Sequence, residues 1–166
     1  MASAEKEKRV FDLLKQLEIP YTLHNHPPVY TVEQAEKHWT QIRGAHCKNL
    51  FLRNKKGNRH YLVILEAVKA ADLKSLRHKL GEDRLSFASP ERMKRYLDLE
   101  PGSVSPFGLM NDHENKVQVI IDKDLKNAKE VNFHPNVNTA TLGISFSDFE
   151  KFLAWTKNQV RYLPFS

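Results

Sequence analysis

Three separated segments of the chain carry residue types suited to chemistry. In Gly44-Ala45-His46-Cys47-Lys48-Asn49-Leu50-Phe51-Leu52 a lysine opens an otherwise apolar, strand-like run. A cation at the mouth of a core strand can sit beside a phosphate or a polarised carbonyl. In Pro101-Gly102-Ser103-Val104-Ser105-Pro106-Phe107-Gly108, glycine and proline bracket a loop. Backbone N–H groups fixed in such a loop could hold a carbonyl oxygen or an oxyanion. Phe133-His134-Pro135-Asn136-Val137-Asn138-Thr139-Ala140-Thr141 gathers small polar groups directly before a strand. Each segment also has a plainer reading: a snorkelling lysine, a tight turn and a solvated loop.

Other chemistries find less support. The sequence has no glycine-rich phosphate loop, no His-Glu-x-x-His and no nucleophile elbow; the glycine–serine spacing at Gly102-Ser103 is wrong for the last. His24 and His26 stand two apart and share a face if their strand continues, but no acidic or cysteine neighbour completes a metal set. His46, His60, His78 and His113 lie in charged surroundings and read as surface residues. Cys47, the single cysteine, excludes an internal disulfide and a Cys-based zinc site, and should point opposite to Lys48, away from solvent. No metal and no organic cofactor is expected.

The elements that must position these segments follow from periodicity. Residues 4–18 place Val10, Phe11, Leu13, Leu14 and Leu17 at helical spacing, and Pro20 closes that helix. A short strand over 21–24 leads to the extended His26-Pro27-Pro28-Val29-Tyr30, and Thr31 with Gln34 forms a capping box for a second helix. Strands at 47–53 and 60–65 flank Asn54-Lys55-Lys56-Gly57-Asn58, a hairpin signal. Asp72 caps a helix closed by Gly81; 85–87 alternates; Ser89-Pro90 opens another helix. Strands over 117–121, 130–133 and 139–144 precede a last helix capped by Ser147, with Phe149, Phe152, Leu153 and Trp155 inside. This mixture predicts an α+β fold: one domain over residues 1–166, a bent, mixed and largely antiparallel sheet flanked by helices.

Composition narrows the class of partner. The 166 residues carry a net charge of +6, and no apolar run approaches the ~20 residues of a membrane span. Charge is unevenly placed: between Glu36 and Glu66 there is no acidic residue, while Lys37, Arg43, Lys48, Arg53, Lys55, Lys56 and Arg59 all fall there. This is either a positive face for a polyanion or a solvated basic hairpin. The mixed-charge N-terminus has no apolar core of a secretory signal, so the expected setting is cytoplasmic.

The ordered set His26-Pro27-Pro28-Val29-Tyr30-Thr31-Val32-Glu33-Gln34-Ala35, Lys48-Asn49-Leu50-Phe51-Leu52-Arg53-Asn54, Leu85-Ser86-Phe87-Ala88, Gly102-x-x-x-Pro106 and His134-Pro135-Asn136-x-Asn138-Thr139-Ala140-Thr141 resembles the YbaK/ProRS-associated editing family, in particular its free-standing prolyl-tRNA deacylase branch. The resemblance implies that family's fold and an ester hydrolase removing a wrong amino acid, alanine on proline tRNA, from the tRNA 3′ end. It implies Lys48 and Gly102 as catalytic, with Asn49, Ser103, Pro106, His134 and Asn138 around the aminoacyl group. Arg43, Arg53, Lys55, Lys56 and Arg59 would then face the acceptor stem. The expected partners are tRNA and, beyond it, prolyl-tRNA synthetase or an elongation factor, for a monomer off the membrane. A same-fold deacylase for cysteine or serine and a non-catalytic tRNA-binding module are the competing expectations.

Overall fold

The computed structural model describes residues 3–39 and 42–166. Its centre is the hairpin of β2 (Ala45–Asn54) and β3 (His60–Glu66), paired antiparallel from Cys47↔Glu66 to Arg53↔His60. β3 is apolar at successive positions because both of its faces are covered. Leu62 and Ile64 enter one hydrophobic cluster, Tyr61, Val63 and Leu65 the other. The larger cluster is closed by α1 (Ser3–Gln16), α5 (Phe146–Thr156) and the 3₁₀ turn Pro106–Asn111, the smaller by α3 (Leu73–Leu80). α2 spans Val32–Trp39 and α4 Pro90–Leu97.

The remaining strands are β1 (Thr22–Asn25), β4 (Leu85–Phe87), β5 (Val117–Asp122), β6 (Glu130–Phe133), β7 (Ala140–Ser145) and β8 (Val160–Leu163). The sheet order is β1-β7-β6-β2-β3-β5-β8, with β4 beside β2. Pairs β1/β7, β6/β7, β2/β3 and β2/β4 are antiparallel; β2/β6, β3/β5 and β5/β8 are parallel. This is the mixed sheet flanked by helices that the sequence predicts.

One discontinuity shapes the site. On the edge of β2 away from β3, β6 pairs only with Ala45 and His46, and β4 only with Leu52 to Asn54. The stretch between has no strand neighbour on that side, although the Phe51 carbonyl accepts from Ala88 N–H. The sheet is therefore open at Cys47–Leu50.

Local expectations differ from the structure in three places. Ser145, not Ser147, caps α5: its Oγ accepts from Asp148 N–H at 3.1 Å, and Trp155 turns outward, 40% exposed. His60 is 2% exposed rather than on the surface, because it packs tilted against Tyr96 with ring centroids 4.1 Å apart and receives Arg92 Nη1–H on Nε2 at 2.9 Å. β8 lies outside the predicted strands; its four residues are all half-buried, so it shows no alternation of faces.

Candidate active site

The gap in β2 opens into a cleft of about 270 Å³ whose walls come from the three segments that carry the candidate chemistry. β2 contributes Lys48 and Asn49, the 101–104 loop contributes Pro101, Gly102 and Val104, and His134 comes from the turn after β6. Val29 and Tyr30, before α2, form a further wall. Lys48 is half-buried and makes no ion pair among the described residues. Asn49 Oδ1 is buried in the cleft wall without a hydrogen-bond donor. A buried acceptor left unpaired costs about 1–3 kcal/mol, and a ligand donor would relieve it.

Gly102 owes its identity to the backbone. Ser103 N–H donates to the Glu100 carbonyl at 3.0 Å across Pro101 and Gly102, and Gly102 has φ +88°, the geometry of a type II turn. A Cβ there would meet Tyr30 Cδ1 at 2.8 Å, so the tyrosine ring lies directly on the glycine. With Ser103 N–H used by the turn, Gly102 and Val104 N–H remain without a hydrogen-bond acceptor among the described residues. Both residues line the cleft.

Hydrogen bonds between the segments hold the loops together. Ser105 Oγ–H donates to Asn136 Oδ1 at 2.8 Å and accepts from Phe107 N–H at 3.0 Å, both buried. Asn136 itself sits at φ +62°. His26 N–H donates to the Thr139 carbonyl at 2.9 Å, and Val29 N–H to that of Asn138 at 3.3 Å. His26 Nδ1 meets the Pro27 carbonyl and Nε2 meets Thr141 Oγ1, each at 2.9 Å, so the ring is used as a brace. His134 Nδ1–H points to the Ala140 carbonyl at 3.1 Å, leaving Nε2 as the ring's acceptor. Burial, ahead of the neighbouring His26, lowers the His134 pKa and favours the neutral ring.

Of the residues predicted as catalytic, Lys48 and Gly102, and of those predicted as substrate-binding, Asn49 and His134, line one cleft. Ser103, Pro106 and Asn138 stand behind that lining: Pro106 is buried at the start of the 3₁₀ turn, and the Asn138 backbone braces Val29. Cys47 reaches the same cleft, and burial pushes its thiol far up, away from a nucleophilic thiolate. Tyr30, Val104 and Trp39 are lining residues that the motif reading did not single out. Tyr30 carried a signal in its sequence position two residues after the Pro27-Pro28 pair.

The predicted basic residues divide. Arg43, Lys55 and Lys56 are exposed. Arg59 is engaged by Glu82 through Nε–H···Oε2 at 2.6 Å and Nη2–H···Oε1 at 3.0 Å. Arg53 donates to the Asn54 and Lys55 carbonyls at 3.1 and 2.9 Å.

The sheet opened beside Lys48, with the Gly102 turn and His134 on the same cleft, makes this cleft the candidate active site. The family model of the aminoacyl-tRNA editing domain matches residues 26–152, and the chain belongs to that family: it is an aminoacyl-tRNA deacylase. A relative from Acetoanaerobium sticklandii, the prolyl-tRNA editing protein ProX, is 44% identical over 149 residues, covering 90% of this chain and 91% of the relative. The prolyl-tRNA synthetase associated domain-containing protein 1 of Danio rerio is 32% identical, covering 99% of this chain and 90% of its own. The fold recurs in a crystal structure described as a candidate trans-editing enzyme for prolyl-tRNA synthetase (TM-score 0.71, 22% identity, 99% and 98% coverage).

Proposed function

We propose that the chain hydrolyses alanine from mischarged proline tRNA, acting in trans. The observation that carries this reading is the convergence of Lys48, Asn49, the Gly102 turn and neutral His134 on one cleft. An aminoacyl ester is already activated, so catalysis needs an oriented water and a stabilised tetrahedral oxyanion. Water adds to the ester carbonyl carbon, and the carbonyl oxygen develops the negative charge, for which Gly102 and Val104 N–H are the candidate donors. The bond to the ribose 3′ oxygen then breaks, and that oxygen leaves with the proton given up by the water. Lys48 supplies a fixed positive charge for the terminal phosphate or ribose, and Asn49 Oδ1 an acceptor for a substrate N–H or O–H.

The choice of alanine rests on the relatives' prolyl-tRNA names and on discrimination physics. A synthetase pocket shaped for proline excludes a smaller amino acid by only about 1–3 kcal/mol, so a second, hydrolytic site is useful for alanine. The test is deacylation of alanyl-, cysteinyl-, seryl- and prolyl-tRNA by wild type and Lys48→Ala. Alanine should be released fast and proline little, and Lys48→Ala should lose about 10²-fold or more in kcat/KM. Preferred release of cysteine or serine would overturn the alanine assignment. Full activity of Lys48→Ala would overturn the role given to that residue.

A further inference from the structure

We propose that the unpaired nucleotides leading to the tRNA 3′ terminus are held along a track from the cleft mouth, past Phe87, to a phosphate site formed by Arg53 and Arg92. The proposal rests on the deacylase reading for the identity of the strand. It goes beyond the chemistry of the cleft and uses residues outside it.

The first observation is aromatic. Tyr30 is 68% and Phe87 62% exposed, the two most exposed large aromatic side chains among the described residues, and both line the same cleft. One face of Tyr30 is occupied by Gly102. Phe87 stands on the short edge strand β4, opposite Leu52. Exposed rings beside a cleft that takes a nucleotide end are stacking surfaces for unpaired bases.

The second observation is electrostatic and independent. The guanidinium groups of Arg53 and Arg92 converge at the hairpin turn. Arg92 Nη2, Arg53 Nη2 and Arg92 Nη1 lie 2.8, 3.1 and 3.2 Å from the point where a Cβ on Gly57 would stand. Both are held by neutral acceptors only: Arg92 by the Gly57 carbonyl at 3.1 Å and His60 Nε2 at 2.9 Å, Arg53 by the Asn54 and Lys55 carbonyls. Neither forms an ion pair among the described residues. The carboxylates nearby are already engaged, Glu82 by Arg59 and Tyr61, Asp83 by Lys55 and Arg84 N–H. Burial and the arginines lower the His60 pKa to about 4, which leaves its Nε2 free to accept from Arg92 at neutral pH. Two like charges held together without a counter-ion, with unused N–H donors, match a phosphodiester.

The two features adjoin at the β4 edge of β2, on successive positions of the strand pair. Arg53 pairs with Ser86, next to Phe87, and Arg92 precedes Met93, which lines the cleft. Along β2 the span from Lys48 to Arg53 is roughly 17 Å at ~3.3 Å per residue, the reach of a few extended nucleotides.

Binding of two uncharged hairpins with the proline-tRNA acceptor sequence, one with its unpaired 3′ end and one trimmed of it, tests the track by fluorescence anisotropy. Wild type should prefer the intact hairpin by about tenfold or more, and Phe87→Ala should remove most of that preference. Arg53→Gln with Arg92→Gln should flatten the dependence of log affinity on log salt by about 0.7 per lost contact, and Arg92→Lys should restore part of it. Phe87→Ala should keep wild-type stability in chemical denaturation, because its exposed ring can be removed without opening the core. Equal binding of both hairpins by wild type, or an unaltered preference in Phe87→Ala, overturns the track. Inactivity of wild type on every aminoacyl-tRNA would instead overturn the deacylase reading, and the binding arm judges the track without it.

Discussion

At its hairpin end β2 leaves no side-chain polar atom of Asn54 idle. Oδ1 accepts from Asn58 and Arg59 N–H, each at 3.1 Å, while Nδ2 donates to Asn58 Oδ1 at 2.7 Å. Glu82 closes the arrangement by binding Arg59 and Tyr61. At the cleft end of the same strand, His46 Nδ1 and Asn49 Oδ1 are buried without partners, and Lys48 has no counter-ion among the described residues. One strand thus carries an end whose polar side-chain atoms are satisfied and an end where His46 Nδ1 and Asn49 Oδ1 are not. Substitutions should separate the two: changes at the hairpin should alter folding, changes at the cleft should alter turnover.

The largest effect is expected at Gly102→Ala. The positive φ and the Tyr30 ring oppose a Cβ, displacing the donor turn. Activity should fall about 10²–10³-fold, with about 1–3 kcal/mol of stability lost, read by deacylation and chemical denaturation. Glu82→Gln should do the reverse, costing about 1.5–3 kcal/mol of stability with kcat/KM per folded molecule unchanged. Its acid behaviour has a definite sign. The Arg59 hydrogen bond holds the Glu82 carboxyl below the usual range. Its stabilisation is complete above the unfolded carboxylate pKa and is lost as pH falls through the depressed folded value. Wild type should therefore lose an acid-side increment of stability that Glu82→Gln never has.

Asn49→Ala sharpens the contrast at smaller scale. It removes a buried acceptor that lacks a partner, so stability should change by less than about 1 kcal/mol, while deacylation falls about tenfold. A loss of stability like that of Glu82→Gln would show the cleft end to be structural as well. The last effect belongs to His60 and is confined to acid pH. Its folded pKa of about 4 lies below the ordinary 6.5, so between those values the unfolded chain binds a proton that the native one does not. Stability should fall with falling pH across that window, by up to about 1.4 kcal/mol per pH unit. His60→Gln, whose amide oxygen can still accept from Arg92, should flatten that slope.

Much of this was legible in the sequence where one residue type has one physical use. Asp72 and Gly81 cap α3 as their types dictate, and Asn54–Asn58 turns the chain where predicted. The three chemical segments were separable from ordinary loops only as a set, and the structure brings them to one cleft. What stayed hidden depends on partners distant in the chain. Asn54 reads as a turn residue, and nothing local reveals that Glu82 reaches it. His60 reads as solvated because its neighbours are charged, yet Arg92 and Tyr96 arrive from α4 and enclose it. Ser145 and Ser147 are both fair caps; packing of Phe146 and Phe149 in the core chose the earlier one. The interruption of β2 left no trace in composition, because it is set by where β6 stops and β4 begins.

The cross-bracing of the loops has a kinetic consequence. Parallel pairing of Ala45 with Val131, and the bonds from His26 and Val29 to Thr139 and Asn138, join parts of the chain made far apart in time. Such non-local closures form late and slowly. A nascent chain that ends before Thr139 has Lys48 but neither the Ala140 carbonyl that orients His134 nor the Thr139 carbonyl that anchors the loop before Tyr30. Esterase competence should therefore emerge only after β7 has been made and paired.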